Sequence, residues 1–393
     1  MQYKVKYGGM ILTNQERNAL WKAINKNYWP LGEEGKKMEH EAAKFLGVKH
    51  GVLANSGSSA GLLALSALEL PKGSEVIIPA TTFPTIFNII LQCGLVPVVV
   101  DSKIGTYNLD PSEIEAAISN KTKAIICVHA VGNPCNMPEI MKIAKRYSLY
   151  VIEDNCDGWG SSIDGKRVGS FGDVSFTSFH AAHIVSMGQG GGVFTNDPEI
   201  ARNARMYRDW GRQADLSSRT NKKWPTLPKD YDARFIYEKI GYNLSPLEIQ
   251  AAMGRVQLKK TEKIKKLRQK NFKYIYNHLS KYPYLIMPTW VEGADVCWFS
   301  FPITIEGDRG KLVAHLEKNG IETRSMFAGN ILKHPAYKDV EYRQSGDLME
   351  ANIILTNSFW VSCHPSLTKK QLDYMLKTFD DYFAANHVNS THK

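Results

Sequence analysis

Three short stretches of the chain carry groups that could do chemistry. The first is Asn55-Ser56-Gly57-Ser58-Ser59-Ala60, small residues with three hydroxyls just ahead of the apolar run GLLALSALEL. Free backbone N–H groups and the positive end of a helix make a seat for an anion, and small side chains let a phosphate come close. An ordinary Ser-capped helix accounts for the same residues. The second is Val151-Ile152-Glu153-Asp154-Asn155-Cys156, an acidic pair closing an apolar strand. A carboxylate at the carboxyl edge of a sheet points into the crevice where open α/β folds bind ligands. One task for it there is to pair with a protonated ring nitrogen, which turns the ring into an electron sink; a turn cap is the plainer alternative. The third is Ser178-Phe179-His180-Ala181-Ala182-His183, followed by the turn Met187-Gly188-Gln189-Gly190-Gly191-Gly192. An imidazole in such a place can take up a proton and return it near neutral pH.

Regular elements must hold these groups in place. EVIIPA, LVPVVVD, KAIICVHAVG, SLYVIEDNC, DVSFTSF and GGVFTN are short runs rich in β-branched residues. Helical stretches such as SSAGLLALSALEL and MPEIMKIAKRYS lie between them. Apolar strands alternating with helices predict an α/β fold with a mostly parallel sheet covered on both faces. Residues 198 to 209 read as a helix, and Gln213 to Asp232 as a long functional loop. Past the basic helix that follows, the pattern changes to a small α+β domain. Its helix KLVAHLEKNG stops at Gly320, and its last helix puts Leu372, Met375, Leu376, Phe379 and Phe383 on one face. The expected division is 1–258 for the N-terminal segment and large domain, and 259–393 for the linking helix and small domain. An N-terminal helix around Asn14 to Asn27 is expected to pack on the small domain.

The net charge of +10 is mostly local: residues 259 to 273 hold eight Lys/Arg and one Glu. Ile264, Leu267 and Ile275 fall at helical spacing there, so the stretch reads as a helix with a solvated basic face. No aromatic platform or binding motif accompanies it, and no nucleic-acid partner is expected. None of the six cysteines forms a CxxC pair or a metal-ligand spacing, so no metal site is expected. No uninterrupted apolar run is long enough to span a membrane, and the start, MQYKVKYGGMILTNQERNAL, lacks an apolar signal region. A cytoplasmic protein is expected.

The order phosphate seat, aromatic Phe83 after a strand, strand-end Asp154, then the Ser178 to His183 stretch, resembles the fold type I pyridoxal-phosphate enzymes (aspartate aminotransferase-like). More narrowly, it is similar to the sugar-nucleotide aminotransferase family, the DegT/DnrJ/EryC1/StrS group. That family has Ser-Phe-x-x-x-Lys before a glycine-rich turn, and a Gly-Tyr-Asn segment that Gly241 to Gly254 matches here. The resemblance runs from about residue 8 to 385. It implies that Ser56, Gly57, Ser58 and Ser59 hold the coenzyme phosphate, Phe83 stacks on the ring, and Asp154 pairs with the ring nitrogen. Asp157, Ser178 and His180 fall beside the ring, although packing alone accounts equally well for His180. Asn243 reaches the phosphate from the second subunit of a homodimer. Ser245 replaces an arginine often found after Gly-Tyr-Asn. Arg324, Asn330, His334 and His364 are candidates for sugar or diphosphate contacts.

The departure from the family pattern is His183, at the position of the coenzyme-anchoring lysine. No lysine occurs between Lys166 and Lys222 to stand in for it. An imidazole cannot carry the coenzyme covalently. Within the family, histidine here marks the 3-dehydratases of 4-keto-6-deoxy sugar nucleotides, which hold pyridoxamine 5'-phosphate or pyridoxal 5'-phosphate without a covalent bond. The resemblance implies that His183 is the base for loss of the C3 hydroxyl. Glutamate or another amino donor would regenerate the amine. Residual transamination, or hand-over of the intermediate to a separate reductase, are the alternatives. Tyr207 to Arg212, Met326 to Asn330 and Asn357 to Thr368 look most like the branch acting on a CDP-linked sugar, which carries a 2Fe–2S cluster on a cysteine-rich insert. The same place here, QADLSSRTNKKWPTLPKDY, has no cysteine, so no iron–sulfur cluster is expected. The branch acting on a GDP-linked sugar, which needs no cluster, is then the nearer analogue.

Overall fold

The computed structural model describes residues 3–213 and 219–387. Residues 214–218, inside the predicted loop Gln213 to Asp232, lie outside the described residues. The main sheet has eight strands. In spatial order they are His50–Ala54, Gly191–Thr195, Val174–Ser178, Tyr150–Asp154, Thr122–Val128, Glu75–Pro79, Val96–Val100 and Arg343–Gln344. Only Gly191–Thr195 runs against its neighbours; every pairing from Val174–Ser178 outward to Arg343–Gln344 is parallel.

Alternate strand residues feed opposite faces, as the two-residue period requires. Val76 and Ile78 pack with Leu63, Ile86 and Phe87 from the helices Gly57–Ala67 and Pro84–Gln92. Ile77 turns the other way, onto Met137 and Ile140 of the helix Met137–Tyr147. Burial on both faces explains why these strands read as near-continuous apolar runs rather than alternating ones.

A second, antiparallel sheet orders Leu285–Ile286, Phe301–Ile305, Ser358–Val361 and Arg324–Ser325. The helices Arg309–Lys318 and Lys369–His387 cover it, with Leu312, Leu316, Leu372, Met375 and Phe379 in its core. Exchange of short segments ties the two sheets together. Val5 near the N-terminus bridges to Ile321 beside the small sheet, and Arg343–Gln344 returns to the edge of the large one.

Two expectations are corrected. The N-terminal helix, Asn14–Ile24, packs on the helix Glu248–Leu258 rather than on the small sheet, because buried Glu16 accepts from Gln257 at 2.7 Å and from Lys260 at 2.5 Å. The basic helix Thr261–Leu279 is not simply a solvated face. Its buried stripe runs Thr261, Lys265, Arg268, Phe272, Ile275, Leu279, while Leu267 is exposed. Lys265 and Arg268 turn inward because each finds oxygen partners: Asp295 and the Gly160 carbonyl for the first, the Phe299 carbonyl at 2.6 Å for the second. Paired in this way, a long cationic side chain serves as core. No helix among the described residues is long and apolar enough to cross a membrane.

Edge strand Arg343–Gln344 is fastened by a charge. Arg343 donates to buried Glu75 at 3.0 and 2.7 Å, and Ser119 and Thr122 donate to the same carboxylate. Arg343, with help from the two hydroxyls, holds the Glu75 carboxyl down to about 2, against an ordinary 4.5. A depressed carboxyl stabilises the fold above its unfolded-state value and loses that contribution as pH falls through the folded one. Melting temperature should therefore fall more steeply between about pH 5 and pH 2 in the parent than in Glu75→Gln. Parallel curves in a calorimetric pH series would remove this pair from the acid response.

Candidate active site

A cavity of about 720 Å³ opens at the carboxyl ends of the parallel strands, where Asp154 and Ser178 terminate two of them. Its floor begins with the helix Gly57–Ala67. Ser56 caps that helix, its Oγ accepting from the Ser59 N–H at 3.0 Å, so the positive helix end faces the cavity. Ser58 Oγ lies 2.7 Å from Thr85 Oγ1 on the next helix. A Cβ on Gly57 would come within 2.5 Å of Ser178 Cβ, and one on Gly191 within 2.3 Å of the Ser56 carbonyl. Bare backbone at both positions lets the helix end, the strand end and the glycine-rich turn close into one small concavity.

Asp154 is 6% exposed, and its side chain takes the Cys156 N–H at 3.0 Å and faces the Cys156 thiol. Burial raises its pKa, which marks a carboxylate short of a positive partner. Phe83, at the head of the helix Pro84–Gln92, leaves its ring 55% exposed over the cavity. Glu153, the other member of the acidic pair, points to the opposite face. It accepts from the backbone N–H groups of Gly169, Phe171 and Gly172 and lies 3.0 Å from His129 Nε2.

His183 lines the same cavity. Its Nδ1 is 3.3 Å from Asp157 Oδ1, and its ring lies 5.3 Å from that of Phe299. His180 sits beside it with ring centroids 6.2 Å apart; partial burial, then the neighbouring imidazole, lowers its pKa. Phe299 is held by a tight crossing. Val131 takes a left-handed φ of 50°, and Gly132 follows at φ 90°, where a Cβ would be 2.3 Å from the Cys297 carbonyl. Strained turns of this kind persist where surrounding contacts over-determine them.

Most residues singled out from sequence line this cavity. Arg324 and His334 reach its rim, Arg324 with its guanidinium 4.7 Å over the Tyr7 ring. Four do not line it. Ser59 lies behind Ser56, taking its hydroxyl at 2.9 Å. Asn330 is a correction: it is 1% exposed, with its amide spent on Asn352 and on the Leu332 N–H, and so caps a turn. His364 is likewise closed off, on the Gly9 carbonyl and Ser366, and burial depresses it to about 4. Asn243 is exposed, bridges to Asp209, and does not line the cavity of its own chain. The sequence reading missed Tyr7, Thr85, His129, Phe299 and Trp360 on the wall. Thr85, two residues past Phe83, was the most accessible signal; the others arrive from distant parts of the chain. Among the described residues, no lysine lines the cavity.

The family model for DegT/DnrJ/EryC1/StrS aminotransferases matches residues 10–380. The chain belongs to that family. It is similar to RfbH, a lipopolysaccharide biosynthesis protein of Salmonella typhimurium, at 38% identity over 96% of this chain and 91% of the relative. A dTDP-4-dehydro-2,6-dideoxy-D-glucose 3-dehydratase of Saccharopolyspora spinosa is also 38% identical, over 97% and 87%. The solved Escherichia coli GDP-4-keto-6-deoxy-D-mannose-3-dehydratase with bound hydrated PLP superposes with a TM-score of 0.88 at 30% identity, over 96% of this chain and all of that one.

The residues present fit the coenzyme of this family. Asp154 forms no ion pair among the described residues, so a protonated pyridine nitrogen would find it free, and Ser56, Gly57 and Ser58 bring a Ser-capped helix N-terminus to the cavity wall. Replacing Gly57 by alanine favours the helix intrinsically but drives a Cβ against Ser178, pushing the helix end away from the strand end. Gly57→Ala should lower the melting temperature by several degrees, because the new Cβ overpacks against Ser178, and should weaken pyridoxal phosphate binding to the folded protein, read by fluorescence titration, on the order of tenfold or more. Unchanged affinity would move the phosphate seat elsewhere.

Proposed function

We propose that the chain removes the C3 hydroxyl of a 4-keto-6-deoxy sugar nucleotide, with pyridoxamine or pyridoxal phosphate held without a covalent bond. One observation carries this reading: the cavity that holds Asp154 and the Ser56 helix cap has His183 where the family has its lysine, and no lysine among the described residues on its walls. When bound, the coenzyme supplies an amine for the C4 ketone and a ring that accepts electrons. Asp154 holds the proton on the ring nitrogen. Phe83 covers one face of the ring, and Ser56, Gly57 and Ser58 receive the phosphate. His183 takes a proton at its free ring nitrogen and, as imidazolium, returns it to the departing hydroxyl. Over a full turn the C3 carbon is reduced and an amino donor, here glutamate, is oxidised. Keto sugar and glutamate give the 3-deoxy keto sugar, 2-oxoglutarate and ammonia, and the atoms balance.

The large domain, 1–258, carries the coenzyme seat in this reading, and the small domain, 259–393, supplies Arg324 and the aromatic wall. The active form is a cytoplasmic homodimer in which Asn243 completes the phosphate seat of the partner. Its exposure and its absence from the lining of its own cavity support that role.

The test is mass spectrometry of products from a panel of 4-keto-6-deoxy sugar nucleotides with glutamate. One member should lose a single oxygen in the parent protein. His183→Asn should bind pyridoxamine phosphate as well as the parent and lose dehydration by at least about 100-fold. A 4-amino sugar that keeps its C3 oxygen would establish transamination instead.

A further inference from the structure

Asp157 is the most conspicuous group left without work. It is 6% exposed, lines the cavity, and its Oδ2 is buried with no hydrogen-bond partner. His183 Nδ1, 3.3 Å from Asp157 Oδ1, is likewise buried without a hydrogen bond. A buried carboxylate with one unpartnered oxygen and a buried ring nitrogen without a donor or acceptor, 3.3 Å from its other oxygen, are costly unless the two groups serve each other. The distance is long for a charge-assisted hydrogen bond, and catalytic hydrogen bonds commonly tighten when substrate fills the site.

We infer that Asp157 is the positioning residue of the base: it takes the Nδ1–H of His183, leaving Nε2 unprotonated toward the cavity. Phe299 restrains the other freedom of the ring, its own ring tilted by 33° with centroids 5.3 Å apart. A carboxylate behind an imidazole also stabilises the imidazolium formed when the proton is taken up. The other ionisable groups around His183 are Asp154 on the adjoining strand end, His180 in its own turn and Tyr7 from the N-terminal segment. Arg268 lies behind Phe299, 5.7 Å from its ring. Burial and the Asp157 charge both raise the Tyr7 phenol, so Tyr7 stays a neutral donor and leaves the Asp157 charge to His183. Arg268 is spent on the carbonyls of Trp298 and Phe299. This role differs from the contact with the coenzyme ring that family resemblance implies for position 157, and it rests on the dehydratase reading only for the identity of the proton donor.

Two measurements test it on the coenzyme-loaded protein. In ¹⁵N-histidine NMR, with His183 assigned by its loss in His183→Asn, the ring should be protonated at Nδ1 and bare at Nε2. The opposite tautomer would overturn the proposal. In the rate profile, Asp157→Asn should lower kcat on the order of 100-fold with little change in KM, and Asp157→Glu should recover part of it. Removing the charge destabilises imidazolium, so the acidic limb of kcat should move to lower pH. An unmoved limb with a shifted coenzyme absorbance maximum would make Asp157 a ring contact instead. Products that keep the C3 oxygen while the Nδ1–H tautomer stands would overturn the dehydratase reading and leave the Asp157–His183 pair intact.

Discussion

A buried carboxylate without a cation sets the terms of this molecule. Asp154 ends a central parallel strand, nearly buried at the cavity wall, with one backbone donor from Cys156. Leaving such a charge uncompensated costs several kcal/mol, so the site is complete only when something positive arrives. The two-residue period of the strand divides the labour between neighbours. Glu153, one step back, faces the interior and is saturated by three backbone N–H groups and His129, which braces the turn at Gly169 to Gly172. Asp154 faces the cavity and is left hungry. Both acids lie on one short segment, and only their facing separates structure from chemistry.

The exchange of lysine for His183 shifts the burden of holding the coenzyme. A covalent anchor tolerates a loose seat, whereas non-covalent retention depends on close complementarity at the phosphate and the ring. The contacts around Gly57, Ser178 and Gly191 are correspondingly tight, and each depends on a missing side chain. The same exchange frees the base: an imidazole that forms no bond to the coenzyme remains available to carry a proton throughout turnover. Its walls are apolar where it must be oriented, by Phe299, and ionic where it must be charged, by Asp157.

Much of this was legible in the residues. The large sheet read clearly because strands buried on both faces carry unbroken β-branched runs, and the helix at Gly57 because serines precede an apolar stretch. Motif order singled out Asp154, Phe83 and His183, and the fold brings the three to one cavity. Long-range pairing was illegible. Tyr7 enters the wall because the N-terminal segment is strapped to the small sheet, with its N–H on Glu322 and its carbonyl on Ser362, and no local pattern announces that. Asn330 misled for the opposite reason: a polar residue near a recognisable segment turned out to spend its amide on a turn. Lys265 and Arg268 looked solvated because sequence counts their charge, and only the fold reveals the carbonyls and the carboxylate that draw them inward.

The most direct measurement of the central idea is reduction of the resting, coenzyme-loaded protein with sodium borohydride, followed by denaturing mass spectrometry of the intact chain. The expected result is an unmodified polypeptide mass, with the coenzyme wholly released on unfolding. A mass increase equal to one reduced pyridoxyl phosphate, mapped to any lysine, would contradict a cavity whose base has taken the place of its anchor.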